Sequence, residues 1–219
     1  MKRVLSLLSI ALLPVLAFGD PAKEPAKPGP PAPATAKPVK VRLKTSEGDI
    51  IVELNAEKAP ITVANFLDYV KKKHYHGTVF HRVMNDFMIQ GGGFAVAEGK
   101  LVEKPTGKGI TNEGQNGLKN ERGTIAMART PDPNSATAQF FINVADNSSK
   151  LDYPKYGGYA VFGKVVDGMV VVDKIRAVPT AMGKLTAIDP GSGKKVEFTP
   201  QEPAIPTKNV VIESVTIVE

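Results

Sequence analysis

A mostly β protein, an antiparallel barrel or sandwich, is predicted by two observations. From Val41 onward the chain breaks into many short apolar runs separated by turn residues, and only two stretches carry a helical apolar stripe. That distribution argues against alternating strand and helix units on a parallel sheet. A third observation says where function would sit. Phe80 to Phe94 reads Phe-His-Arg-Val-Met-Asn-Asp-Phe-Met-Ile-Gln-Gly-Gly-Gly-Phe, the densest cluster of aromatic, basic and glycine residues in the chain. Phe80, Phe87, Met88 and Phe94 supply apolar surface, while His81, Arg82 and Gln90 supply polar groups. A fixed cation beside apolar surface suits a small apolar ligand with a polar edge.

Residues 1–19 have the form of a secretory signal. Lys2 and Arg3 make a positive start, Val4 to Leu16 is apolar apart from Ser6, Ser9 and Pro14, and Ala17-Phe18-Gly19 puts small residues before Asp20. The alternative, an uncleaved anchor, fits less well because the apolar run is short for a span. The mature protein is therefore expected to be exported, to the periplasm or beyond, with no stable membrane insertion after processing. Residues 20–40 hold seven Pro and five Ala, cannot bury a core, and read as an extended tether.

The folded domain is expected over 41–219. Val41 to Lys44 and Ile50 to Leu54 read as a hairpin around Glu47-Gly48-Asp49. Pro60 opens a helix whose stripe is Val63, Phe66, Leu67 and Val70, closed by Lys71, Lys72 and Lys73 at its negative end. Ala95 to Lys119, rich in Gly, Lys and Asn, reads mostly as loop. Gly123 to Ala128, Ala138 to Val144 and Tyr159 to Val166 read as strands. A short helix through Val171, Val172 and Ile175 follows. Residues 178–208 hold five Pro and read as an irregular excursion, with a small strand at Lys194 to Thr199 and the character of a surface hairpin. Val210 to Val218 closes the domain.

Composition narrows the chemistry. The 219 residues are 42% apolar, enough for a core, and contain no Cys, which excludes disulfides, thiolate metal sites and a lipid-anchored Cys. The net charge of +6 is spread over leader, tether and domain, leaving only +2 from Val41 onward. No basic stripe interleaves with aromatics, so no nucleic-acid partner is expected. His74, His76 and His81 lie close in sequence, but no carboxylate stands at a ligand spacing and no His-Glu-x-x-His occurs, which disfavours a metallohydrolase. No Gly-x-Ser-x-Gly supports a serine hydrolase. Asn147-Ser148-Ser149 is a formal glycosylation sequon, meaningful only in a host that reads it.

Five segments then carry a resemblance: Phe80-His81-Arg82, Phe87-Met88-Ile89-Gln90-Gly91-Gly92, Gly123-Thr124-Ile125-Ala126-Met127-Ala128-Arg129, Ser135-Ala136-Thr137-Ala138-Gln139-Phe140-Phe141-Ile142 and Val161-Phe162-Gly163-Lys164-Val165-Val166. In order and spacing they resemble the cyclophilins, in particular the bacterial, exported type of these peptidyl-prolyl cis–trans isomerases. The likeness covers roughly Val41 to Ala177 and resumes at Val210 to Val218. It implies a closed eight-stranded antiparallel barrel capped by two helices. It also implies Arg82 as the catalytic residue and Phe87, Met88, Phe140 and Leu151 as walls of a proline pocket. Gln90 and Gln139 would be the polar groups beside it, and Ala128, Arg129 and Thr130 the segment along which substrate backbone lies. His81 and Tyr159 complete the expected substrate contacts. Tyr159 stands where many members have His, and Lys150 where well-known eukaryotic members have Trp. Phe141 is expected in the core, because alternation sends it to the face opposite Phe140. The implied partners are proline-containing folding clients and, weakly, a cyclosporin-type ligand. The protein is expected to act as a monomer with no cofactor and no metal.

The chemistry stands beside that likeness. Rotation about an X–Pro bond breaks amide resonance against a barrier of about 18–20 kcal/mol. In the twisted state the proline nitrogen becomes pyramidal and can accept a hydrogen bond. A guanidinium, always charged and multiply donating, can serve both that nitrogen and the carbonyl oxygen. A competing reading is a binding module that holds proline-containing segments without useful turnover.

Overall fold

In the computed structural model, which describes residues 38–189 and 191–218, a hairpin opens the domain: β1 (Lys40–Thr45) pairs antiparallel with β2 (Gly48–Leu54). The signal expected at 1–19 and residues 20–37 of the expected tether lie outside the described residues. Helix α1 (Pro60–Lys71) follows, with Pro in its first turn and Val63, Phe66, Tyr69 and Val70 buried. Its first-turn donors, which no helical carbonyl can serve, find a distant partner. The Glu113 carboxylate accepts from Ile61 N, Thr62 N and Thr62 Oγ1 at 3.1, 2.8 and 2.6 Å.

The next strands are short: β3 (Thr78–Val79), β4 (Arg82–Met84), β5 (Met88–Gly91), β6 (Phe94–Ala97), β7 (Lys100–Glu103), β8 (Thr124–Met127) and β9 (Phe140–Asn143). After them come α2 (Ser148–Leu151), β10 (Val161–Asp167) and α3 (Met169–Arg176). The C-terminal part holds β11 (Thr180–Ala181), β12 (Leu185–Ile188), β13 (Lys195–Phe198), β14 (Ile205–Pro206) and β15 (Val211–Val218).

The pairing order explains the closure. The main sheet runs β13-β12-β7-β6-β3-β15-β1-β2-β10-β8-β9-β5-β4. Only Phe80 and His81 separate β3 from β4, so the two are one interrupted run; yet β3 pairs with β15 while β4 pairs with β5. That run links β4, at one end of the order, to β3 beside β15, and closes a ring of eight antiparallel strands: β3/β4, β5, β9, β8, β10, β2, β1 and β15. The ring removes free edges from this part of the sheet. Inside it Phe66, Tyr75, Phe80, Phe140 and Phe162 are fully buried, with Phe66 5.8 Å from Phe140 and 5.2 Å from Phe162 between ring centroids. The two expected helices reach this core through Phe66 of α1 and Val172 and Ile175 of α3.

Three elements go beyond the sequence reading. The stretch read mostly as loop contains the β6–β7 hairpin, turned by Glu98 and Gly99, both at positive φ (51° and 74°). The four-residue α2 had no periodicity to announce it. The excursion at 178–208 is the expected hairpin, β12 with β13; what goes beyond the reading is that β12 also pairs in parallel with β7. Leu185 and Ile205 join Val79, Phe94 and Leu101 in a separate apolar cluster that fastens the excursion to the barrel's outer side.

Candidate active site

Strand register assembles the site on the outer face of the barrel. Arg82 on β4 stands opposite Gln90 on β5, Gln90 opposite Phe141 on β9, Phe141 opposite Ala126 on β8, and Ala126 opposite Val161 on β10. Residues directly opposite in an antiparallel ladder share a face, so this row crosses five strands on one side of the wall. The intervening residues Val83, Ile89, Ile125, Ile142 and Phe162 turn inward to the core.

Beside the row lies a pocket of about 130 Å³ lined by Arg82, Phe87, Met88, Gln90, Ala128, Arg129, Phe141, Leu151 and Tyr159. Its floor is an apolar cluster of Met88, Ala126, Phe141, Leu151 and Val161, flanked by Phe87 and Tyr159. The Phe87 carbonyl accepts from Val144 N at 3.1 Å and from Asn147 Nδ2 at 2.7 Å. Asn147 is thus a buried structural residue (1% exposed), and the formal sequon is sterically closed. Tyr159 N donates to Leu151 O at 2.9 Å, tying two walls together.

The polar side is equally fixed. Arg82 directs Nη1 toward Met88 Sδ at 3.9 Å and lies 6.0 Å from the Phe87 ring centre. Its Nε and Nη2 both donate to Glu202 Oε1, the Nε bond measuring 3.0 Å. Gln90 Nε2 donates to Gln139 Oε1 at 2.9 Å, and Gln139 Nε2 donates to Glu103 Oε1 at 3.0 Å. The Arg129 guanidinium stacks 4.4 Å over the Tyr159 ring and donates to the carbonyls of Thr130, Tyr156 and Gly158. Lys150 places Nζ 5.7 Å from the Phe87 ring centre.

Of the residues singled out in the sequence, Arg82, Phe87, Met88, Gln90, Ala128, Arg129, Leu151 and Tyr159 converge on the pocket. Gln139 stands behind Gln90 as its partner. Three placements need correction. Phe140 is inside the barrel against Tyr75, Phe80 and Phe66, and Phe141 takes the pocket wall 5.9 Å from Tyr159. Alternation separates the two rings, but only the register with Gln90 decides which one faces out. His81 does not reach the pocket. It is buried against Phe94, ring centres 4.5 Å apart, with Nδ1 unpartnered among the described residues. Burial lowers its pKa to about 3, opposed in part by the Val79 backbone and aided, least of the three, by the neighbouring Arg82 cation, so the ring is neutral. Thr130 is exposed and bonded to Ser135, away from the pocket lining. His74 lies elsewhere, facing the Gly92 carbonyl at 3.2 Å, its pKa lowered by burial and by Lys104. Sequence reasoning missed Glu103 and Glu202, whose roles depend on contacts far along the chain.

Comparison with known proteins agrees with this geometry. Residues 40–216 match the family model described as "Cyclophilin type peptidyl-prolyl cis-trans isomerase/CLD". Peptidyl-prolyl cis-trans isomerase B of Escherichia coli (strain K12) is 48% identical over 186 residues, covering 82% of this chain and 99% of that protein. A peptidyl-prolyl cis-trans isomerase of Acinetobacter baylyi is 57% identical over 141 residues, 64% of this chain and 73% of that one. A cyclophilin type peptidyl-prolyl cis-trans isomerase of Cryptosporidium parvum, solved in the presence of the dipeptide Ala-Pro, superposes with a TM-score of 0.61. It is 25% identical, with 82% of this chain and 99% of that chain covered.

Proposed function

Because this chain belongs to the cyclophilin-type peptidyl-prolyl cis–trans isomerases, we propose that it isomerises X–Pro bonds at the Arg82 pocket and does so in exported proteins as they fold. The carrying observation is the join of one guanidinium to one apolar pocket: Arg82 shares its face with Gln90 and Phe141 and borders Phe87, Met88 and Leu151. The proline ring sits against Met88, Phe141 and Leu151. The residue before proline crosses toward Arg82 and Gln90. As the bond twists, Arg82 donates to the pyramidal nitrogen, a bond that the planar ground state cannot accept. Interactions of this kind, stronger in the transition state than in the bound substrate, are the ones that raise turnover. Stabilisation of about 7 kcal/mol would give roughly 10⁵-fold acceleration. Rotation transfers no atoms, so the reaction calls for no nucleophile and no general base.

Export rests on the form of residues 1–19 and the proline-rich stretch that follows them. Exported chains are suited clients, since proline isomerisation is slow on the folding timescale. The test is a protease-coupled assay on a short X–Pro peptide with the purified protein, beside N-terminal sequencing of the protein recovered from the cell envelope. Acceleration over the uncatalysed rate supports the enzyme. Peptide binding without acceleration would replace it with the holding module.

A further inference from the structure

Glu202 is 120 residues from Arg82 in sequence, yet its Oε1 accepts from both Nε and Nη2 of that guanidinium. It belongs to the excursion, between β13 and β14, and two backbone contacts fix it there. Val83 N, next to Arg82 on β4, donates to Ala204 O at 2.7 Å, and Ala204 N donates to Glu202 O at 2.9 Å. The hairpin half of the excursion is tied to the other polar corner of the site. Ile188 N donates to Glu103 Oε2 at 2.8 Å, and the same carboxylate holds Gln139 through Oε1.

An arginine side chain is long, and its donors are useful only in one plane. With Nε and Nη2 engaged by Glu202, that plane is set, and Nη1 is left on the pocket side beside Met88. We propose that Glu202 is a positioning residue for the isomerisation: it holds the outer edge of Arg82 so that the Nη1 edge meets the twisting amide. The excursion is then part of the working site and not an ornament on the barrel. This inference rests on the reading of Arg82 as the catalytic group.

The experiment compares Glu202→Ala and Glu202→Gln with the wild type and with Arg82→Ala. It measures kcat and KM, thermal unfolding, and the Arg82 Nε–H resonance in ¹⁵N-labelled protein. Releasing the guanidinium in Glu202→Ala should cost about tenfold in kcat, as expected for a misplaced but present group, with KM little changed. Glu202→Gln, which keeps an acceptor of the same reach, should recover part of that loss. The Arg82 Nε–H signal should shift and exchange faster with water in Glu202→Ala. Wild-type or raised kcat in either variant whose Arg82 signal has moved overturns the proposal, and a raised value would mark Glu202 as a competitor of substrate. Should Glu202→Ala fail to fold, Glu202→Gln decides by the same two readouts. Wild-type turnover in Arg82→Ala would instead remove the underlying reading, a distinct result.

Discussion

Phe140 and Phe141 are consecutive residues whose rings lie on opposite sides of the barrel wall. Phe140 sits 5.6 Å from Tyr75 inside, and Phe141 sits 5.9 Å from Tyr159 in the pocket outside. One strand therefore serves stability with one side chain and the site with the next. Phe140→Ala should cost about 3–5 kcal/mol of stability in denaturant unfolding, the usual penalty for emptying an aromatic site in a packed core. Phe141→Ala should instead lower proline-peptide affinity by about tenfold, roughly 1.4 kcal/mol, and be the less destabilised of the two. The reverse assignment of effects would mean that the register of β9 is wrong.

His81 should make the fold acid-sensitive without touching turnover near neutrality. Its folded pKa is about 3, below the roughly 6.5 of an unfolded histidine. The depressed value means that its contribution to stability is fully present above about pH 6.5 and is lost as pH falls toward about 3, at up to about 1.4 kcal/mol per pH unit. His81→Phe keeps an aromatic ring against Phe94 and removes the titration. The unfolding free energy of that variant should fall less steeply between about pH 6 and 4.5 than that of the wild type, by close to one proton. Equal slopes would show that His81 is already charged in the folded protein.

Much of this was legible in the sequence, and the failures have physical causes. Turn residues, β-branched runs and the Val63–Val70 stripe mark β1, β2 and α1, because local chain preferences decide those elements. The β6–β7 hairpin is harder: its turn is Glu98-Gly99, without the Asn-Gly or Asp-Gly pair that usually announces two positive φ angles. Alternation told Phe140 from Phe141 but carried no sign, since both residues are large and apolar and both faces of this wall are buried. His81 sits next to Arg82 in a motif, yet the same alternation turns it away. Glu202 left no trace at all: its partner is 120 positions away, and a lone Glu among prolines has no local pattern.

Cyclosporin should inhibit this protein more weakly than it inhibits a Trp-bearing relative. Lys150 offers a flexible ammonium over the Phe87 ring, 5.7 Å from its centre, in place of a flat indole with a directed N–H. Lys150→Trp should tighten inhibition measurably in the isomerase assay. An unchanged inhibition constant would show that position 150 does not touch the drug.

The processed protein should begin at Asp20, following cleavage after Ala17-Phe18-Gly19. Edman or mass-spectrometric analysis of the mature chain checks this. A mature chain that still carries Met1 would count against export by this route.

Turnover in Arg82→Ala, with peptide affinity measured on the same samples, tests the central claim most directly. If Arg82 acts on the twisted amide, kcat/KM should fall by about 10²–10³, in line with the loss of a preorganised donor. Affinity followed by NMR should fall far less, because Met88, Phe141 and Leu151 still hold the proline ring. Arg82→Lys should recover only part of the rate, an ammonium being a point donor and not a fork. The wild-type rate should stay nearly flat from about pH 6 to 8, since rotation about the X–Pro bond transfers no proton. Near-wild-type kcat/KM in a folded Arg82→Ala protein would contradict the account and leave the pocket as a binding site whose chemistry lies elsewhere.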